Sequence, residues 1–529
     1  MKFSISDANV LKKWFSLGRV LLSAYIFVLL ASFAAFAASP DFTGPDEIKK
    51  LIKDAAKLQR AGSYVEAEAL LLRAIDLDPK RTEAKVELAY IYVKERRLRE
   101  AYDTSFPIAQ AEPKNARAFA VLGVTLLNGG RFREARLILY KALQINRDED
   151  LAWAGYGMLD FYENNIKDSL NNLREAVYHQ PDEPDYLFSL AQVAARSEDY
   201  NEAAAAYELF LRVSSTTDIE RRERIKGLIN FLRYLGQTNN LYVSEGEPQT
   251  KLPFELVGNR PVIQLKLNGK TDPLNFVLDT GSGISVISEA TAKKLKIKPI
   301  TKGGFARGIG GNGKFEIVYG MVRQIDLGGV RIRNVPVYIR KFQSDGQTVD
   351  GYIGLALISK FLTTIDYGDQ TFSLTKKEED KKDFTQTTSD LSLPLRLTSS
   401  GFLSGEVQLQ GVESPLNFIV DTGASVSVIS DRVSKTEGIS PFVSDEKMRV
   451  VGSAGIADDV STFLLPKVSF GNHTRKSIMA VALDLDLINE ASGFEQAGIL
   501  GGNFLKNYRL TFDFKNSKVT FVSVKPENE

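Results

Sequence analysis

The sequence predicts a multidomain chain in which an all-α helical solenoid is followed by an all-β region made of two similar lobes. Three observations support this fold class: a helical pattern that repeats every 34 residues before residue 236, short alternating strands after residue 250, and a segment of sixteen residues that occurs twice in the strand-rich part. Helical and strand periodicities that occupy separate parts of a chain indicate separate domains. A length of 529 residues is ample for several of them.

The composition narrows the chemistry that the chain can perform. Lys and Arg number 67 and Asp and Glu number 66, so the net charge is +1 and we expect no nucleic-acid partner. The absence of cysteine excludes disulfides, thiolate nucleophiles and zinc-thiolate sites. His179 and His473 are the only histidines, and neither lies in a recognisable motif, so the sequence predicts no metal and no cofactor. We expect His473, in a short Gly-Asn-His-Thr-Arg turn, to be a surface residue.

Residues 1–40 have the pattern of an export signal. Four basic residues precede an uncharged run over residues 20–38, and the run ends in small residues. Nineteen residues are long for a cleaved signal peptide and sufficient for a membrane-spanning helix, so both outcomes stay open. With the basic flank inside, the rest of the chain faces away from the cytoplasm. We therefore expect an extracytoplasmic protein that is periplasmic or secreted, or that residues 20–38 anchor in the membrane.

Residues 46–237 carry the helical repeat. Positions 34 apart share a turn residue, a large residue and a small residue: Gly62, Arg96, Gly130, Asn164 and Glu198; Tyr64, Leu98, Phe132, Ile166 and Tyr200; Ala67, Ala101, Ala135, Ser169 and Ala203. This period resembles tetratricopeptide repeats, with five repeats over about 46–215 and a closing helix over 218–236. The resemblance implies a surface that binds a peptide or a partner protein. A spacer or an assembly scaffold is the open alternative.

The strand-rich part is a duplication. The segment PLNFVLDTGSGISVIS begins at Pro273, and PLNFIVDTGASVSVIS begins at Pro415, 142 positions later, with eleven of the sixteen residues identical. Further on, residues 350–374 match residues 497–521 with an offset of 147. The sequence therefore predicts two homologous β-lobes, over 253–375 and 393–523, separated by a charged linker over 376–392.

At the centre of each copy, an Asp-Thr-Gly triplet lies between two apolar strands. In such a turn the Asp can project into a cleft, the Gly allows a sharp bend, and the Thr hydroxyl can bond within the turn or to the opposite lobe. Two hydrophobic residues, Asp-Thr-Gly-Ser/Ala, and a later hydrophobic-hydrophobic-Gly segment together resemble the aspartic proteases. The short lobes are more similar to the retropepsin-like branch than to the pepsins.

That resemblance implies an aspartic-type peptidase whose catalytic residues are Asp279 and Asp421, one from each lobe. Because the linker keeps both lobes close, we expect them to pair within a single chain; pairing between chains is the open alternative. Two neighbouring carboxylates do not both ionise readily, so they would share a proton while they activate a water on a peptide or protein substrate. The alternative is an inactive protease-fold scaffold that binds a partner through the helical repeats. Supporting residues implied by the motif are Thr280, Gly281, Ser282, Thr422, Gly423 and Ala424.

The same resemblance implies a glycine-rich flap from each lobe, which would cover the cleft. Neither candidate segment contains the tyrosine that pepsin flaps carry. The flap candidates are Gly308, Ile309, Gly310 and Gly311 in the first lobe and Gly452, Ser453, Ala454 and Gly455 in the second.

Overall fold

A computed structural model describes residues 44–238, 240–270, 272–310, 314–342, 349–377 and 391–524. The predicted export segment, flap residue Gly311 and residues 378–390 of the predicted linker lie outside these ranges. The two ends of that linker lie in strands, which finish at Lys376 and begin at Leu391. Within the described ranges, no helix is both long enough and apolar enough to cross a membrane.

The helical part is a tetratricopeptide-repeat solenoid, as predicted. The second helix of each repeat begins with a large residue. The small residue three positions later is fully buried in every repeat, which lets the helices pack closely. The turn residue of every repeat has a positive φ, from 59° at Arg96 to 79° at Gly62. The helices run Pro45–Arg60 and Tyr64–Leu77, Thr82–Lys94 and Leu98–Ala111, Ala116–Asn128 and Phe132–Ile145, Asp150–Tyr162 and Ile166–His179, Pro184–Arg196 and Tyr200–Val213, and a closing helix Ile219–Gln237.

The β-part consists of two lobes with the same strand pairing, which confirms the bilobal all-β prediction. Strands of lobe 1 are Val243–Gly246, Gln249–Val257, Arg260–Leu267, Leu274–Leu278, Ser285–Ser288, Pro299–Arg307, Lys314–Leu327, Val330–Arg340, Gly351–Ile353, Phe361–Asp366 and Thr371–Lys376. Strands of lobe 2 are Leu391–Pro394, Arg396–Leu397, Leu403–Leu409, Leu416–Val420, Ser427–Ser430, Val443–Gly452, Gly455–Phe470, His473–Leu483, Gly498–Leu500, Tyr508–Asp513 and Lys518–Ser523. Short helices are Glu289–Lys294, Leu355–Ile358, Asp431–Ser434, Asp486–Ser492 and Gly502–Leu505, and a 3₁₀ turn covers Ser440–Phe442.

One sheet joins the two lobes within the chain. Phe361–Asp366 of lobe 1 pairs antiparallel with Tyr508–Asp513 of lobe 2. The hydroxyl oxygens of Thr364 and Thr511 lie 3.1 Å apart across this pairing, and the two residues are separated by the 147-residue offset of the duplication. Equivalent residues therefore meet at the boundary, as they must if an approximate twofold axis relates the lobes.

The solenoid packs against lobe 2 through an aromatic cluster. Phe494 is fully buried, and its ring centroid lies 4.9 Å from that of Phe132 and 4.9 Å from that of Tyr162. Nearby, the Asn164 side-chain amide donates to the Phe514 carbonyl at 3.0 Å. Lobe 2 thus completes the apolar core of the repeats at this face.

The closing helix packs against the first flap hairpin, which consists of Pro299–Arg307 and Lys314–Leu327. The Phe231 ring stacks on the Tyr319 ring with centroids 4.4 Å apart. At Gly227 the helix approaches the strand so closely that an added Cβ would lie 2.3 Å from the Lys302 carbonyl oxygen. The base of flap 1 is therefore held by the helical domain as well as by its own lobe.

The prediction that His473 lies on the surface is wrong. This residue opens the strand His473–Leu483 and is 6% exposed. Its Nε2 lies 3.1 Å from the Phe521 carbonyl oxygen, and its ring packs against Tyr508. The turn ends at Asn472, three residues earlier than the sequence suggests, so His473 lies in the strand and its alternation directs this side chain inward.

Candidate active site

Each Asp-Thr-Gly turn follows a buried strand and is held by the short strand that pairs with it in parallel. Leu274–Leu278 pairs with Gly351–Ile353, and Leu416–Val420 pairs with Gly498–Leu500. The backbone N–H of Asp279 donates to the Ile353 carbonyl at 3.0 Å, and that of Asp421 donates to the Leu500 carbonyl at 3.0 Å. The duplicated sequence therefore delivers two equivalent carboxyl groups at the boundary between the lobes.

Thr280 and Thr422 link the two turns. The Thr280 hydroxyl donates to the Val420 carbonyl at 2.7 Å and accepts from the Thr422 N–H at 3.0 Å. The Thr422 hydroxyl donates to the Leu278 carbonyl at 2.7 Å and accepts from the Thr280 N–H at 3.1 Å. Both threonines are fully buried, so these four bonds lock each turn to the opposite lobe without competition from water.

The two carboxyl groups lie side by side because glycine follows each threonine. A Cβ at Gly281 would lie 2.3 Å from Cγ of Asp421, and a Cβ at Gly423 would lie 2.6 Å from Cγ of Asp279. Any larger residue at either position would displace the opposite carboxyl group. Asp279 and Asp421 are in direct hydrogen-bonding contact in this arrangement.

The surroundings shift the pKa values of the two aspartates by different amounts. Burial raises the pKa of Asp279 well above its usual range, and repulsion by Asp421 raises it further. Burial also raises the pKa of Asp421, but the hydrogen bond from Asp279 and backbone N–H groups oppose that rise. The N–H of Gly423 donates to Oδ1 of Asp421 at 2.7 Å. The arrangement therefore favours a proton on Asp279 and a negative charge on Asp421.

The remaining predicted supporting residues shape the turns. The Ser282 hydroxyl donates to the Ile284 carbonyl at 2.7 Å. Ala424 occupies the equivalent place in lobe 2, where its N–H donates to Oδ1 of Asp421 at 3.2 Å. Lobe 2 therefore gives its carboxylate one more donor.

A pair of serines that the sequence reasoning did not single out also holds the site. The Ser285 hydroxyl accepts from the Gly354 N–H at 3.1 Å, and the Ser427 hydroxyl accepts from the Gly501 N–H at 3.1 Å. Both serines are buried and identical in the two copies of the duplication. Identity at a buried polar position was the signal that could have revealed them.

The two candidate flaps meet at their tips. The second flap hairpin consists of Val443–Gly452 and Gly455–Phe470. The Ala454 N–H donates to the Ile309 carbonyl at 2.8 Å. Gly308 lies against the Ser453 side chain, and Gly310 lies against the Gly455 carbonyl. The described flap candidates of both lobes therefore come together.

A large cavity of about 1720 Å³ contains the carboxyl pair and extends between the flaps and the lobes. Asp279, Asp421, Ile309 and Ser453 all line it. Arg340, which the sequence reasoning did not consider, lines it as well. In the described part of the chain, no cluster of three His, Asp or Glu side chains could hold a metal ion.

Models of known protein families match segments in both parts of the chain. The family model described as Aspartyl protease matches residues 263–357 and 405–504, one segment in each lobe. Two Tetratricopeptide repeat models match residues 58–123 and 157–215. The lobes are aspartyl protease-like and the helices are tetratricopeptide repeats. Both Asp-Thr-Gly turns of the protease-like region fall inside the matched segments.

Solved structures similar to this chain match its helical part. A thermophilic TPR protein of Thermus thermophilus is 20% identical, with a TM-score of 0.30, over 34% of this chain and 98% of that chain. PilF of Pseudomonas aeruginosa is 16% identical, with a TM-score of 0.27, over 36% of this chain and 86% of that chain. No curated protein matches the chain.

Proposed function

We propose that this protein is an aspartic endopeptidase that hydrolyses peptide bonds with a water molecule activated by Asp279 and Asp421. The observation that carries the proposal is the adjacent carboxyl pair, which lies in the cavity beneath two touching flaps and is locked by reciprocal threonine bonds. The matches of both lobes to the aspartyl protease family support it. Neither a nucleophilic side chain nor a metal ion is required for this chemistry.

The difference in protonation gives each carboxyl group a role. Ionised Asp421 takes a proton from the water as its oxygen attacks the peptide carbonyl, and protonated Asp279 gives its proton to the carbonyl oxygen. The product is a gem-diol. Asp421 then protonates the amide nitrogen, the C–N bond breaks, and a diol hydroxyl returns its proton to Asp279. The dyad is thereby restored to its starting state.

The decisive test is cleavage of a diverse peptide mixture by the purified protein, read by mass spectrometry from about pH 4 to pH 7. Asp279→Asn and Asp421→Asn variants run beside the wild type. We expect both substitutions to abolish cleavage, because each removes one of the two proton-transfer groups. Cleavage should fall on the acidic side as Asp421 becomes protonated and on the alkaline side as Asp279 ionises.

The contrary outcome is a folded wild type that cleaves nothing across this pH range while it still binds a partner through its repeats. Cleavage that survives either asparagine substitution would also contradict the dyad. In both cases thermal unfolding of each variant shows whether the protein is folded.

We also propose that the tetratricopeptide repeats bind a partner or substrate protein and that the chain acts outside the cytoplasm. The basic flank and apolar run of residues 1–40 support the second part. Fractionation of cells that produce the protein tests it. Accumulation of the full-length chain in the cytoplasm would contradict export.

A further inference from the structure

The duplication allows the two halves of the cleft to be compared position by position. In lobe 1, Tyr338 and Arg340 lie beside the strand Ser285–Ser288, in register with Val286 and Ser288. In lobe 2, Val481 and Leu483 lie in the same register beside Val428 and Ser430. Tyr352 and Ile499 are also equivalent, because each pairs with the residue two before its aspartate. All six residues line the cavity: Tyr338, Arg340, Tyr352, Val481, Leu483 and Ile499.

At these three positions the lobe 2 half of the cleft is aliphatic, and the cation that lobe 2 contributes to the cavity, Arg449, lies 3.4 Å from the Asp458 carboxylate. Val428, Val481 and Ile499 form a buried cluster with Ile419, and Ile488 packs against it. Such a surface binds an apolar side chain by removing it from water. It offers a branched or unbranched aliphatic residue of the substrate a place to pack.

At the equivalent positions, the lobe 1 half of the cleft has two tyrosines and an arginine instead of aliphatic residues. The Arg340 guanidinium lies 3.7 Å from the centre of the Phe315 ring in flap 1. It also donates a hydrogen bond to the Ser453 carbonyl at the tip of flap 2. The guanidinium therefore contacts the Phe315 ring of flap 1 and the tip of flap 2, and it lies at the lobe 1 side of the cleft.

Arg340 has donors to spare. Its Nε is buried and makes no hydrogen bond. Among the described residues no carboxylate oxygen lies within ion-pair distance of the guanidinium, and the nearby Asp279 carboxyl compensates its charge only in part. Burial lowers the pKa of the Arg340 guanidinium, as expected for a cation that the protein only partly compensates. A partly buried cation without a close ion pair is costly, and a planar guanidinium matches a carboxylate in two parallel hydrogen bonds.

We propose that Arg340 selects peptides with an Asp or Glu side chain close to the scissile bond on the lobe 1 side, while the lobe 2 side takes an aliphatic residue. The proposal rests on the peptide-cleaving cleft proposed above and adds its substrate class. Arg340 is a specificity-determining residue in this account. The unequal residues at equivalent positions are the observation that carries it.

The test has two stages and starts from the diverse peptide mixture at about pH 6, where free Asp and Glu side chains are ionised. Cleaved bonds are first ranked by rate. The best substrate is then made with Glu or with Gln at its acidic position, and kcat/KM is measured for both peptides. We expect the wild type to prefer the Glu peptide by about tenfold or more, which corresponds to about 1.4 kcal/mol.

Variants separate recognition from a general loss of activity. In Arg340→Gln, kcat/KM for the Glu peptide should become nearly equal to kcat/KM for the Gln peptide, whatever the absolute rate. Arg340→Lys should keep part of the preference for the Glu peptide. Arg333→Gln is the matched control, since Arg333 lies on the same strand, pairs with Glu245 and does not line the cavity. It should keep the wild-type ratio. A preference that survives Arg340→Gln, or cleaved bonds without acidic neighbours, would overturn the proposal.

A binding measurement distinguishes failure of this inference from failure of the proposed function. The same peptide mixture is passed over immobilised wild type, Asp421→Asn and Arg340→Gln proteins, and the retained peptides are identified. If nothing is cleaved but acidic peptides are retained in an Arg340-dependent manner, the proposed specificity is supported and the proposed peptidase activity is contradicted. If nothing is cleaved and retention does not depend on acidic residues, both proposals are contradicted.

Discussion

At the scale of single residues, the carboxyl pair has a thermodynamic cost that is visible in its pKa values. Burial raises the pKa of Asp279 and of Asp421 above the usual range of an aspartate. A carboxyl group whose pKa rises on folding stabilises the fold most when it is protonated, below the unfolded-state value of about 3.9. That contribution is lost as the pH rises through the folded-state pKa. The protein therefore holds the pair at the expense of stability at neutral pH.

We predict that Asp279→Asn is stabilised relative to the wild type as the pH increases. The asparagine does not ionise, so the variant escapes the loss that the wild type suffers between about pH 4 and neutrality. The difference in unfolding free energy should grow by about 1.4 kcal/mol for each unit by which folding raises the pKa. Chemical denaturation at pH 4 and pH 7 measures it. A difference that does not change with pH would mean that the pair is not strained in the folded state.

A second residue-scale prediction concerns the threonines that join the turns. Thr422→Val removes the acceptor for the Thr280 N–H and the donor to the Leu278 carbonyl, both in a fully buried place. Each group left unpaired should cost about 1–3 kcal/mol of stability. The kcat should also fall, because the turn that carries Asp421 keeps only two of its four bonds to lobe 1.

Thr363→Val provides the matched control for that substitution. Thr363 is also fully buried, and its hydroxyl donates to the Ile358 carbonyl at 3.0 Å, but it does not line the cavity. We expect a loss of stability of about 1–3 kcal/mol with kcat unchanged. Equal effects of the two valines on kcat would argue against a positioning role for the threonine bonds.

At the scale of elements, the contact between the closing helix and flap 1 depends on one glycine. Alanine is normally better than glycine inside a helix by about 1 kcal/mol. At Gly227, however, the added Cβ would lie 2.3 Å from a backbone oxygen and 2.5 Å from Cα of Gly303, and neither atom can move without the strand. We predict that Gly227→Ala destabilises the protein by about 1–3 kcal/mol.

Gly236→Ala on the same helix should behave differently. The nearest atom to its added Cβ is Oδ1 of Asn201 at 2.6 Å, the end of a side chain that can rotate away. We expect this substitution to be neutral or slightly stabilising, and thermal unfolding of both variants gives the comparison. A Gly227→Ala protein as stable as the wild type would show that the helix does not press on flap 1.

At the scale of the whole molecule, the sequence predicted the features that occur in more than one copy. It did not predict the contacts that occur only once. The 34-residue period located the helices, and the 142-residue offset located both aspartates and both threonines, because duplicated packing demands the same residues twice. Contacts between the domains have no internal copy. In the sequence, Phe494 is an ordinary apolar residue and Gly227 is an ordinary glycine in a helix. Only the packing of the solenoid against the lobes shows what each of them contacts. Arg340 stood out only when its lobe 2 equivalent proved to be Leu483.

The joining of both lobes in one chain leads to the last prediction, which concerns assembly. Phe361–Asp366 and Tyr508–Asp513 pair within the chain, and the threonine bonds across residues 280 and 422 close the same boundary. A covalent connection keeps the effective concentration of the second lobe high and independent of the protein concentration. We therefore expect activity per molecule to stay constant on dilution through the nanomolar range, with the active species eluting as a monomer in gel filtration. Lobes that pair between chains would instead lose activity per molecule on dilution, and mixing Asp279→Asn with Asp421→Asn protein would then restore part of it. In the single-chain arrangement that mixture stays inactive, because no molecule in it carries both aspartates.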